Sequence, residues 1–251
     1  MLSVTWLGHS TVVLDVAGVR LLTDPLLRRH AGLLRRRGDA PQRSSWAGAA
    51  AVLLSHLHHD HAELSSLRLL PGVPVLTAPA NAAWLDRKGL RGVGLAPTQW
   101  YEVDAGVQVR LVRAEHGHRP MPHRPNAANG HLVRAEGRRI WVAGDTSGYP
   151  ELDDLPRLAG GPIDLALVPI AGWGPRLGPG HLDAEQAAEV CGRIGVRYAL
   201  PVHFGSLHPP GRRDLGYLDR PAGAFARALA ERAPGCDLLT GVPGQPLPVP
   251  A

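Results

Sequence analysis

Between Ser55 and His61 the chain reads SHLHHDH, four histidines and an aspartate in seven residues, directly after the apolar run AAAVLL. Neutral imidazole and carboxylate at this density are donors suited to zinc, iron or manganese. His56 and His58 are two residues apart, and in an extended segment side chains two apart point to the same side, so these two can share one ion. Asp60 and His61 stand at the turn into the next helix and can face a second ion, while His59 is expected to point outward or to stand behind a ligand. No thiolate joins the pattern, so nothing suggests a closed structural zinc site. A purely structural alternative exists: Asp60 and Glu63 have the spacing of an N-cap and its N3 partner for a helix over 61–70.

The same chemistry recurs at strand ends. His9 follows VTWLG, His56 follows VLLS, His116 follows RLVRAE, Asp145 follows IWVAG and His203 follows YALPV. If these ends share one edge of a sandwich, their side chains converge on one site built on loops over a rigid frame. Singly, each has a plain structural explanation: Asp145 as a turn residue in GDTSG, the histidines as rings bonded to backbone carbonyls.

The elements that must position these groups are legible from apolar patterning. Residues 3–7, 11–16 and 19–23 form a meander joined by glycine-containing turns, and Asp24-Pro25 stops its third strand. Strands follow at 51–54 and 73–77, with a helix over 81–90. A second meander spans 101–114, then a hairpin runs through 131–144 around EG at 136–137, and a buried strand covers 163–170. HLDAEQAAEVCGRIG (181–195) reads as a helix with Asp183 as N-cap, Gln186 completing a capping box and Gly195 at the C-terminus. A strand at 197–202, a helix from its cap Asp219 to about Arg232 and a strand at 237–240 complete the chain. Meander strands followed by helices, twice over, predict an α/β fold, a four-layer αββα sandwich formed as a single domain over 1–251. A doubly wound parallel sheet fits less well, because short turns between consecutive strands imply antiparallel pairs.

Composition narrows the class. With 251 residues the chain can bury a full core, and its formal net charge is +5 with Lys88 as the one lysine. A basic surface favours an anionic small-molecule substrate weakly. No run of about 18 apolar residues predicts a membrane span, and no signal-type segment opens the chain, so a cytoplasmic protein is expected. Cys191 and Cys236 are expected as buried thiols rather than a disulfide. The basic run Leu26–Arg43 is either a solvated loop or a flap over an anionic ligand.

HLHHDH resembles the H-x-H-x-D-H signature of the metallo-β-lactamase superfamily, and His116, Asp145 in AGDT and His203 in PVHFGS stand in that family's order and approximate spacing. The resemblance implies the αββα sandwich and a dinuclear cleft. In it His56, His58 and His116 would hold one ion, Asp60, His61 and His203 the other, and Asp145 would bridge. The implied cofactors are two divalent ions, zinc first, with manganese or iron as alternatives, activating a bridging hydroxide that Asp60 orients or deprotonates. WLGHST, LLTDP, WVAGDT and GHLDAEQAAE are similar to the branch holding ascorbate-phosphate lactonase and N-acyl phosphatidylethanolamine phospholipase D. That likeness makes His181, ahead of the helix, a candidate for substrate binding or leaving-group protonation, and places His9 either behind a ligand or on the substrate side.

The segment HGHRPMPHRPNAANG (116–130) departs from both named enzymes. Arg119 and Arg124, with His118 and His123, are expected to line the mouth and suit a phosphate or carboxylate. Trp173, in the glycine-rich 171–180 loop, is expected to stack on substrate as part of a lid. The reading is a hydrolase of an ester, lactone or related bond. A phosphodiesterase acting on a lipid or nucleotide is the enzymatic alternative, and a metal-retaining binding or regulatory protein the non-catalytic one. A nucleic acid partner is disfavoured, since the resemblance leaves no room for the large clamping insertion of the superfamily's RNA-processing branch. Homo-oligomerisation is left open.

Overall fold

The computed structural model describes residues 1–104, 106–117, 123–125 and 127–251. Two seven-stranded sheets form the frame. The first runs in the order Pro246–Pro248, Leu2–Gly8, Thr11–Val16, Val19–Thr23, Ala51–Leu53, Val75–Thr77 and Gly92–Gly94. The second runs Asp237–Leu238, Tyr198–Val202, Leu165–Pro169, Arg138–Val142, Asn129–Ala135, Val107–Arg113 and Tyr101–Asp104. A small third sheet joins Leu207–His208, Leu34–Arg36 and His30–Ala31.

The predicted layering is seen in where the apolar side chains go. Val4, Leu14, Leu53, Val109, Val133, Leu167 and Leu200 meet between the two sheets. The outer face of the first sheet buries Val52, Leu54 and Val75 with Trp46, Leu67 and Trp84 from the helices Arg43–Trp46, Leu64–Leu67 and Pro79–Asp86. The outer face of the second packs Trp141, Ala166 and Ala199 on Leu155, Ala187, Cys191 and Phe225 from the helices Leu155–Ala159, Ala184–Arg193 and Arg220–Arg232. Strands covered on both faces explain the unbroken apolar runs AVLL and LALVP.

Each sheet is mixed, not antiparallel throughout. Its meander strands pair antiparallel, but Val19–Thr23, Ala51–Leu53 and Val75–Thr77 are parallel neighbours, as are Arg138–Val142, Leu165–Pro169 and Tyr198–Val202. Helices make these crossovers, as parallel pairing requires. The consequence is functional: the strands leading to His9, Asp24 and His56 run one way, and so do those leading to His116, Asp145 and His203. Backbone bonds His203 N to His9 O (3.1 Å) and Asn129 N to Ser55 O (3.0 Å) tie the two sheets together at that edge.

Several local expectations change. The helix expected over 61–70 is the single turn Leu64–Leu67, capped by Glu63, whose carboxylate accepts from Ser65 N and Ser66 N. Asp60 is therefore not a cap and is free to face the cleft. Asp183 and Gln186 do form the capping box of Ala184–Arg193. Asp219 precedes Arg220–Arg232 without a side-chain cap bond; its carboxylate instead accepts from Arg37 Nη1 at 2.6 Å. The basic segment is not a plain loop, since it carries the hairpin of the third sheet. Cys191 and Cys236 are free, the first buried and the second half-buried. Contact with Cys236, then burial, pushes the Cys191 thiol well above its usual value. Among the described residues no helix is long and apolar enough to cross a membrane.

His131 illustrates the cost of a buried ring. It is fully buried, its Nε2 donates across the sheets to Leu76 O at 3.1 Å, and its Nδ1 has no partner. Burial lowers its pKa from 6.5 to about 4. The unfolded chain thus binds a proton that the folded one refuses, so stability falls as pH drops from about 6.5 to about 4. The effect is worth roughly 3 kcal/mol at full extent. In chemical denaturation at pH 7 and pH 4.5, His131→Leu is expected to lose less stability between the two pH values than the parent chain does. Equal losses would show that the ring titrates freely.

Candidate metal centre

The edge where the sheets meet gathers His9, His56, His58, Asp60, His61, His116, Asp145, His181 and His203. His9, Asp24 and His203 adopt left-handed φ values of 53°, 33° and 62°. These are sparsely populated conformations for such residues, and each bends a strand end inward. At His9 the bend follows a register irregularity between Trp6 and Gly8, where the Leu2–Gly8 strand leaves its partner. In the SHLHHDH stretch Leu57 is buried in the outer apolar layer of the first sheet, so His56 and His58 take the other side. Their rings meet, His56 Nε2 to His58 Nδ1, at 2.9 Å. His116 Nε2 reaches the same His58 nitrogen at 3.0 Å.

Asp145 is the centre of the cluster. Its Oδ2 lies 3.1 Å from His61 Nε2, 3.2 Å from His203 Nε2, 3.3 Å from His181 Nε2, and 3.9 Å from His56 Nε2 and His116 Nε2. On the far side Asp60 Oδ2 stands 3.7 Å from His61 Nε2 and 3.6 Å from His203 Nε2. The outward nitrogens are held by the protein. His116 Nδ1 donates to Gly180 O (2.9 Å), and His203 Nδ1 to Ala171 O (2.7 Å). His61 Nδ1 bonds Asp24 Oδ2 (2.8 Å), and His56 Nδ1 bonds Ser55 Oγ (2.9 Å). Fixing Nδ1 this way leaves the Nε2 lone pairs aimed inward, the usual arrangement behind a metal ligand. Gly180 permits this approach: at φ +78° a Cβ there would stand 2.6 Å from the His116 carbonyl carbon.

The donor set fits divalent cations on a further observation. His61 Nε2, His203 Nε2 and Asp145 Oδ1 are buried with no hydrogen-bond partner, a costly state for polar atoms unless something binds them. Donor atoms of His56, His58 and His116 come within 4.8 Å of one another, as do those of His9, Asp60, His61 and His203. As protein groups alone, the cluster balances its charge with protons. Burial, then neighbouring rings, holds His56 well below its usual value and His58 at about 4. Burial pulls on His203 and His61 too, but the carboxylates led by Asp145 outweigh it, raising His203 to about 9 and holding His61 well above its usual value. Asp60 and Asp145, despite burial, are kept well below the usual carboxylate range by these rings. A divalent cation would replace the two ring protons.

Not every expected residue lies in the cleft. His181 does, half-buried with Nδ1 bonded to Gly178 O at 3.1 Å, and Trp173 lines the wall. His9 is 1% exposed and bonds Asp60 Oδ2 through Nε2 at 3.0 Å, so it stands behind that carboxylate and outside the open cleft. Arg124 turns away from the mouth. Its Nη1 donates to Leu57 O and Ala62 O at 2.8 and 3.1 Å, and its guanidinium covers the Trp84 ring. Through these two carbonyls it braces the histidine loop. Arg119 and His118 lie outside the described residues.

Asp24 carries a role that sequence reasoning did not assign. One carboxylate accepts from Ser55 N (2.8 Å) and Ser55 Oγ (2.7 Å) and pairs with His61 Nδ1, all buried. The signal was present, since Asp24 is another acidic residue at the end of a strand, LLTD, but its proline neighbour made it read as a stop.

Residues 19–204 match the beta-lactamase superfamily domain. The chain is 27% identical to N-acyl-phosphatidylethanolamine-hydrolyzing phospholipase D 1 of Caenorhabditis elegans, over 86% of this chain and 66% of that protein, and so spans just under two thirds of its length. It is 29% identical to a UPF0173 metal-dependent hydrolase of Heliobacterium modesticaldum over 92% of this chain and 91% of the other. Among solved structures, the metallo hydrolase Igni18 of Ignicoccus hospitalis shares the fold, with a TM-score of 0.75 at 20% identity and coverage of 98% and 97%. The chain thus belongs to the beta-lactamase superfamily, and its place is among that superfamily's metal-dependent hydrolases.

Proposed function

We propose that this chain hydrolyses an ester, lactone or related bond of a small molecule at a dinuclear centre. His56, His58 and His116 would hold one ion, Asp60, His61 and His203 the other, and Asp145 would lie between them. The observation that carries this reading is the single Asp145 oxygen facing five inward Nε2 atoms at 3.1–3.9 Å. Divalent ions held there, zinc foremost with manganese or iron as alternatives, would supply Lewis acidity and a water nucleophile at neutral pH. The residues do the rest. His9 fixes the Asp60 carboxylate, which orients the nucleophile and takes its proton. Asp24 and the carbonyls of Ala171 and Gly180 fix the tautomers of His61, His203 and His116. His181, at the open side, presents Nε2 to the scissile bond and protonates the leaving oxygen. The relative named for phospholipase D activity favours one second reading, phosphodiester cleavage.

The test is elemental analysis beside a substrate panel. Close to two transition-metal ions per chain are expected, with metal-dependent turnover of 4-nitrophenyl esters or lactones that His56→Ala and His203→Ala abolish. Turnover confined to bis(4-nitrophenyl) phosphate would favour the second reading. Less than one ion per chain after reconstitution would remove the centre.

A further inference from the structure

The cleft above the histidine floor encloses about 900 Å³, near the upper end of the size usual for small-molecule pockets. Its walls differ sharply from its floor. They are built from Leu33, Leu34, Trp173, Pro175, Leu177 and Pro179. Among the described lining residues Arg176 carries the one fixed positive charge. Arg28, Arg29 and Arg124 instead line a neighbouring depression.

Large apolar side chains are rarely left in water without a reason when they gather at one place. Four are exposed among the described residues: Met1, Leu33, Leu177 and Val242. Two of the four, Leu33 at 89% and Leu177 at 36% exposure, stand on separate loops at the opening of this one cleft. Leu33 is not there through a loose loop. The hairpin below it pairs with Leu207–His208 and rests on the small core of Leu26, Ala31 and Leu207, against which Leu34 and Trp173 also pack. The buried Arg36 guanidinium pins its base by donating to Leu7 O and Leu26 O. A hairpin held at its base thus presents a bare leucine at the cleft that Leu177 also lines.

We infer that the non-reacting part of the substrate is an uncharged apolar chain or ring, held between Leu33 and Leu177 with its polar reactive group on the histidine floor. This rests on the hydrolase reading above, and it differs from the anionic substrate that composition suggested: among the described residues the fixed cations stand mostly outside the cleft.

Binding of straight-chain carboxylates from acetate to octanoate, measured by calorimetry at constant ionic strength, tests it independently of turnover. Each methylene that reaches the wall is expected to tighten binding about threefold to fourfold. The slope should flatten in Leu33→Ser and Leu177→Ser, both surface changes that leave the core intact. A flat or absent series in the parent protein overturns the inference, and so does a slope that survives in the double variant. Failure of the metal-loaded protein to hydrolyse any ester, lactone or phosphodiester would overturn the hydrolase reading, while the binding series would still decide this one.

Discussion

Asp145→Asn is expected to lower metal affinity by at least about a thousandfold and to abolish hydrolysis, while the chain still folds. The substitution keeps the shape of the side chain and removes its charge. That charge faces His61, His203 and His181 at 3.1–3.3 Å. At an effective dielectric near 20, one unit charge about 4 Å from another contributes roughly 4 kcal/mol, or close to three decades in a binding constant, and a divalent ion feels more. The rings also change. With Asp145 neutral, the attraction that lifts His203 to about 9 is lost, so this ring gives up its proton more easily but gains no anion to balance a bound cation. Elemental analysis after gel filtration and far-ultraviolet circular dichroism check the two halves of the expectation. A folded variant with unchanged metal content would show that Asp145 is not the centre.

The second large effect is expected one layer out, at Asp24. Replacing it with asparagine should weaken metal binding by about 10–100-fold, the range found when a carboxylate supporting a ligating histidine is lost. The loss should fall on the ion shared by Asp60, His61 and His203, because Asp24 bonds His61 Nδ1. His56 is affected only through Ser55, whose hydroxyl spans Asp24 Oδ2 and His56 Nδ1 at 2.7 and 2.9 Å. If two ions are held as proposed, chelator competition should resolve them as separate steps, of which only one shifts strongly. Asp15→Asn is the control: its carboxylate pairs with Arg20 at the half-exposed surface, where an ion pair contributes at most about 1 kcal/mol, so neither step should move. Equal shifts of both ions in the Asp24 variant would assign it a general folding role.

Much of this was open to a reader of the sequence. The strands at 11–16 and 19–23 stand where apolar patterning put them, because strands covered on both faces need a continuous apolar run whatever they pair with. The capping box at Asp183 and Gln186 was equally local. The strand-end histidines and aspartates were identifiable because their residue types announce their chemistry. The structure brings all seven of the proposed ligands to one edge.

What the sequence could not determine depended on directions in space. The pairs on short turns are antiparallel, as read, but the order and direction of the other strands were not legible: crossovers through helices make half of each sheet parallel, and that common direction delivers the ends to one edge. Arg124 has the chemistry of a substrate anchor, yet carbonyls and an indole ring nearer to it take its guanidinium. His9 could stand behind a ligand or beside substrate, and the bond from its ring to Asp60 Oδ2, 51 positions away, puts it against that carboxylate. Asp24 was visible as a residue and invisible as a partner, since His61 lies 37 positions away in the chain. Residue type and local periodicity are carried by neighbours in sequence, and so the donors and most of the elements could be read. Whether a side chain meets a metal, a carbonyl or a substrate depends on which atoms from distant segments lie within about 3 Å, and that distance is set only when the two sheets close on each other.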